Sequence, residues 1–69
     1  MGDPRLGSRL KEARTAAGLT QAALAEKARV TRKTVNTVEN GVFVPSTVLA
    51  LELARALDTT VEALFFLKD

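Results

Sequence analysis

The chain has 69 residues, 46% of them apolar and 26% charged, a formal net charge of +2, and no cysteine or histidine. That length suits one small domain, and without cysteine or histidine the disulfide, the usual metal ligands and the nucleophile–base pairs of catalysis are all missing. An enzyme, a metal site and a bound cofactor are therefore not expected.

No apolar run approaches the roughly 20 residues of a membrane helix. Residues 1–14 hold no apolar leader core, so a cytoplasmic protein without a membrane partner is expected. The charge is unevenly spread. Residues 1–33 carry eight Lys/Arg against three acids, and residues 34–69 carry two against five. A basic half beside an acidic half suggests one face for an anionic polymer and another for a different task.

Five helices are predicted. The first begins near Asp3–Pro4, an N-cap followed by proline, and runs to about Ala17 before Gly18. Leu6, Leu10, Ala13 and Ala17 fall on one face. Gly7 weakens its first turn, which leaves a start nearer Ser8 open. Thr20 caps a second helix, roughly 21–28, with Leu24, Ala25 and Ala28 inward. Thr31 caps a third, roughly 32–40, with Val35 and Val38 inward and Gly41 at its end. Threonine suits both caps because its hydroxyl accepts from an unpaired N–H of the first turn. After a loop through Val44–Pro45, Ser46 caps a fourth helix, roughly 47–57. Thr59 and Glu62 form a capping-box pattern for a fifth, roughly 60–66. No strand is predicted, because β-branched residues nowhere alternate with polar ones over a useful length.

The second and third helices are separated only by Arg29, Val30 and Thr31, so they must cross steeply. Ala25 permits close approach, and Val30, Val35 and Val38 fill the space around it. The third helix is then held outward, with Arg32 and Lys33 at its first positions and Asn36 and Thr37 about a turn further along. Arginine suits guanine O6 and N7, and asparagine suits adenine N6 and N7.

Residues 20–41 resemble the helix-turn-helix of the Cro/C1-type (Xre-like) family of bacterial and phage transcription regulators. The resemblance covers about residues 9–66. It rests on Arg14 before Gly18, on LTQAALA at 19–25 and on VTRKTVNTVENG at 30–41. Pro45–Ser46 and LDTTVEALF at 57–65 complete it. It implies an all-α, compact, five-helix lambda-repressor-like domain spanning 1–69, cytoplasmic and nucleoid-associated when bound. It also implies base contacts from Arg32, Lys33, Asn36 and Thr37, and backbone contacts from Gln21, Thr31, Thr34 and Asn40. Arg14 and Glu39 would form a partly buried ion pair between the first helix and the end of the third.

Three positions depart from the family. Arg29 replaces the glycine of the turn, which would place it in a left-handed conformation at about 1 kcal/mol; a phosphate contact would offset that cost. Val42 stands where a basic or small polar residue often meets the DNA backbone. Asp58 stands where glycine often ends the fourth helix, and aspartate tolerates that conformation better than most residues.

One reading helix covers only about four or five base pairs, too few to define a site among many competitors. A homodimer doubles the readout if its reading helices lie about 34 Å apart. The fourth helix has Leu49, Ala50, Leu53 and Leu57 facing inward, and the fifth buries Val61, Leu64 and Phe65. Val48, Leu51, Phe66 and Leu67 then look surplus to the core and mark residues 46–67 as the dimerisation region. The function expected is a repressor or autoregulator on a palindromic double-stranded DNA operator. The alternatives are an antitoxin or other protein-binding module on the same fold, and a restriction–modification controller. With no separate ligand domain expected, control would come through concentration, dimerisation, temperature or a regulatory protein partner.

Overall fold

The computed structural model describes residues 2–68. Its elements in order are β1 (Leu6–Ser8), α1 (Leu10–Ala16), α2 (Gln21–Ala28), α3 (Arg32–Glu39), α4 (Thr47–Ala56), α5 (Val61–Leu64) and β2 (Phe65–Leu67). Five helices are present among the described residues, and a small ribbon pairs Leu6–Ser8 with Phe65–Leu67.

The threonine and serine caps set the starts of the central helices. Thr20, Thr31 and Ser46 each accept from a backbone N–H three residues on, at 3.0, 3.2 and 3.1 Å. Each occupies one of the donors that a helix start leaves unpaired. Two left-handed residues end helices without glycine. Arg29 closes α2 with φ 60°, and Asp58 follows α4 with φ 54°.

The ends of the chain differ from the prediction. Asp3–Pro4 does not start a helix. The Arg5 N–H donates to Asp3 Oδ1 at 2.9 Å and the Leu6 N–H to the Asp3 carbonyl at 3.0 Å, so Asp3 opens a tight turn instead. The hydrogen bonds from Arg5 lower the Asp3 carboxyl from 3.8 to about 2. Its small stabilising contribution is therefore complete above its ordinary range and fades as pH falls toward 2. Helix α1 starts only at Leu10, whose N–H donates to the Ser8 hydroxyl. Leu6 therefore sits on a strand, and Ala17 is exposed beyond the helix rather than on its inward face.

At the other end, Thr60 rather than Thr59 caps α5, accepting from the Ala63 N–H at 3.2 Å. Helix α5 is one turn long, and Phe65 leaves it in extended conformation to begin β2. The two strands run antiparallel, pairing Leu6 with Leu67, Gly7 with Phe66 and Ser8 with Phe65. Bonds from the Arg9 N–H to the Leu64 carbonyl and from the Lys68 N–H to the Arg5 carbonyl extend the pairing at both ends.

The core lies between the helices and this ribbon. Leu10, Leu24, Val35, Val38, Leu53 and Leu64 are wholly buried at its centre. Ala25, Ala28, Ala50 and Ala54 are the small residues that let α2, α3 and α4 approach one another. On α4 the buried residues are Ala50, Leu53 and Ala54, while Leu49 and Leu57 are half-buried.

The ribbon depends on a glycine. A Cβ at Gly7 would lie 2.2 Å from the Phe66 ring, over which the Arg9 guanidinium stacks at 4.1 Å. Gly7→Ala is expected to displace that ring, undo the cation–π contact and cost about 1–3 kcal/mol, the usual range for overpacking. Thermal melts of the two proteins check this. An unchanged midpoint would show that the ring does not need its place.

Candidate nucleic-acid interface

The turn between α2 and α3 is built from three residues with separate tasks. Arg29 supplies the left-handed step, and the Val30 N–H returns to the Ala25 carbonyl at 2.9 Å, closing the end of α2. Thr31 is extended and caps α3. Val30 packs half-buried against the core. These contacts hold α3 across α2, with its inward valines buried and its leading end free.

Arg32, Lys33 and Asn36 are exposed, and Thr37 is half-buried. Thr34 is half-buried, and its hydroxyl lies 3.0 Å from that of Thr31. Both hydroxyls are thus engaged at the helix start. Thr37 donates to the Thr34 carbonyl at 3.0 Å. Arg29, in the turn, and Asn40, just after α3, are both exposed. No ion pair is formed by Arg29, Arg32 or Lys33 among the described residues, whose pairs are Arg5–Asp3, Arg14–Glu39 and Arg55–Glu52. Three cations therefore face solvent around the leading end of α3.

Behind that surface lies a polar network. Arg14 donates from Nε to Glu39 Oε2 at 2.6 Å and from Nη2 to Oε1 at 3.2 Å. Its Nη1 donates to the Leu19 carbonyl at 2.9 Å. The Glu39 side chain is only 2% exposed. Hydrogen bonding to Glu39 holds the Arg14 guanidinium above even its usual high range, against the opposing effect of burial. Gln21 Nε2 also donates to Glu39 Oε1, at 3.1 Å. Asn36 Nδ2 reaches Gln21 Oε1 at 3.5 Å, and Asn40 Nδ2 donates to Asn36 Oδ1 at 3.1 Å.

The network therefore runs from α1 through Glu39 to the start of α2 and out along the exposed side of α3. Sequence reasoning paired Arg14 with Glu39 but missed Gln21 as a second partner. It also missed that Asn36 is held from both sides before any ligand arrives. Gln21 and Glu39 are eighteen residues apart, and only the helix crossing brings them together.

Val48 and Leu51 stand out from α4, 71% and 57% exposed, and Leu67 is also exposed. Phe66 is half-buried, covered by Arg9 and seated over Gly7. No helix among the described residues is long and apolar enough to cross a membrane.

A cap-and-turn helix pair that presents a cationic, polar leading helix is the architecture of a helix-turn-helix DNA-binding protein. A family model described as "Helix-turn-helix domain" matches residues 5–65. The chain is 39% identical over 62 residues to the uncharacterized HTH-type transcriptional regulator YgzD of Bacillus subtilis, covering 90% of this chain and 94% of the relative. It is 43% identical over 61 residues to an uncharacterized HTH-type transcriptional regulator of Methanothermobacter thermautotrophicus, covering 87% and 88%. Among solved structures it resembles the restriction-modification controller protein C.AhdI from Aeromonas hydrophila. There the TM-score is 0.76, the identity 44%, and the match covers 78% of this chain and 82% of that one. The chain belongs to the helix-turn-helix family of transcriptional regulators.

Proposed function

We propose that the chain represses transcription, its own included, by binding a palindromic operator as a homodimer, without catalysis. The observation that carries this reading is the free state of Arg32 and Lys33. They are exposed at the first two positions of α3, while the Thr31 and Thr34 hydroxyls behind them are already engaged. Arg32 is the base reader, suited to guanine, and Asn36 reads adenine one turn further on. Lys33 and Thr37 complete the base-facing set. Thr31 and Thr34 position the start of the helix through their own hydroxyl pair, while Gln21, Asn40 and Arg29 flank it and meet the phosphate backbone, which sets orientation rather than sequence.

Dimerisation is supported by apolar surface on the C-terminal helices. Val44, Leu51 and Val61 help line an open groove of about 730 Å³ between α4, α5 and the loop before α4. Val48 and Leu67 add further exposed apolar surface.

Selection of bound sequences from random duplexes at fixed salt tests the proposal, because affinity falls steeply with salt. An inverted repeat with half-site centres about one helical turn apart is expected. Arg32→Ala should relax one position per half-site, and Arg29→Gly, which removes a phosphate contact without straining the left-handed turn, should weaken all sequences alike. Equal loss across all sequences from both changes would remove this division of labour. The likeness to C.AhdI favours one second reading, control of a restriction–modification system by the same DNA mechanism.

A further inference from the structure

The loop after α3 carries three exposed apolar side chains in succession, Val42, Phe43 and Val44. The N–H groups of Val42 and Phe43 both donate to the Thr37 carbonyl, at 3.0 and 3.3 Å. Those two bonds tie the loop to the reading helix. Val42 and Phe43 join Lys33, Thr34 and Thr37 around a shallow depression of about 280 Å³.

The chemistry of this depression is specific. The one hydroxyl hydrogen of Thr37 is spent on the Thr34 carbonyl, so the residue offers an incoming group its methyl and no donor. Lys33, one turn before Thr37, supplies the one cation of the lining. A phosphate would meet two large apolar side chains here and be poorly solvated. A thymine edge would not, since in the major groove it presents a C5 methyl beside the O4 acceptor. The depression is also continuous with the leading side of α3, so a base edge that meets Lys33 lies within its reach.

We infer that this depression is a thymine-methyl pocket: Thr37, Val42 and Phe43 receive the C5 methyl of one thymine in each half-site, with the Lys33 ammonium at the rim. The inference rests on the operator reading above and adds a second specificity element to it, outside the helix itself. Val42 thereby trades a contact to the backbone for a contact to a base.

The test replaces the thymidines of the selected operator by deoxyuridine, one at a time. This removes the methyl and leaves pairing and O4 intact. One position per half-site should lose affinity about fourfold, the effect of leaving one methyl group unburied. The Val42→Ser/Phe43→Ser protein should bind both duplexes equally at that position. Thr37→Ser, which keeps the hydroxyl bond to Thr34, should shrink the difference as well.

The pocket is overturned if the wild-type protein tolerates deoxyuridine everywhere, or if its sensitivity survives undiminished in both variants. It is overturned too if the double variant changes oligomeric state while keeping its DNA preference, since the surface would then serve a protein partner. Failure to enrich any sequence overturns the operator reading and the pocket with it. Enrichment without deoxyuridine sensitivity overturns the pocket alone.

Discussion

Arg14→Met is expected to destabilise the fold by about 3–5 kcal/mol, because it leaves a buried carboxylate without its cation. The Glu39 side chain, 2% exposed, would keep only the Gln21 amide as a partner. The Leu19 carbonyl, at the approach to α2, would lose a donor as well. A chain of 69 residues has a total stability of about 3–10 kcal/mol, so the single substitution consumes a large share of it. Denaturant titration should show the midpoint falling sharply with the slope unchanged.

The companion Arg14→Met/Glu39→Leu separates stability from positioning. Replacing both members of a buried pair by apolar groups is often neutral or better, so most of the stability should return. Operator affinity should not return with it. Without Glu39, Gln21 loses the acceptor that holds its Nε2, and the line through Asn36 to Asn40 loses its inner end. On this account the ion pair serves to set the angle of α3 and the posture of the side chains it presents. If Arg14→Met left both folding and operator affinity unchanged, that role would be wrong.

The central half of the molecule was legible because its determinants are local. Thr20, Thr31 and Ser46 each cap within three residues of their own position, and Val35 and Val38 follow the helix period inward. The left-handed Arg29 was legible from the shortness of the turn together with the family resemblance.

The chain ends were not, because their determinants are distant. Leu6–Ser8 and Phe65–Leu67 are three residues each, too short for alternation to register, and each needs the other to be a strand. Asp3–Pro4 is as good a turn signal as a helix start, and only the pairing of Leu6 with Leu67 decides between them. Residues 61–67 are apolar at nearly every position, so periodicity cannot say where helix gives way to strand. In the site the same division holds. Residue types at the start of α3 could be read directly, but the tie from Gln21 to Glu39 exists only once two helices cross.

The second large effect is expected from the apolar surface of α4. Val48→Glu/Leu51→Glu should lower operator affinity by about 10²–10⁴-fold, the usual scale of an avidity that a second linked site confers. Folding should be spared. Both side chains are more than half exposed, and neither belongs to the buried cluster of Leu10, Leu24, Leu53 and Leu64. Helix propensity argues the same way, since glutamate is a better helix former than valine. The damage therefore falls on association. Two carboxylates on each copy would face their symmetry mates across a two-fold axis, where each must be desolvated without a partner. Each half-site would still be read by Arg32 and Asn36, so base preference should survive while the requirement for two properly spaced half-sites disappears. Sedimentation of the free protein and titration against full and half operators check both parts. A variant that stays folded, stays monomeric and binds the full operator as tightly as the wild type would show that pairing through this face is not how the chain reads DNA.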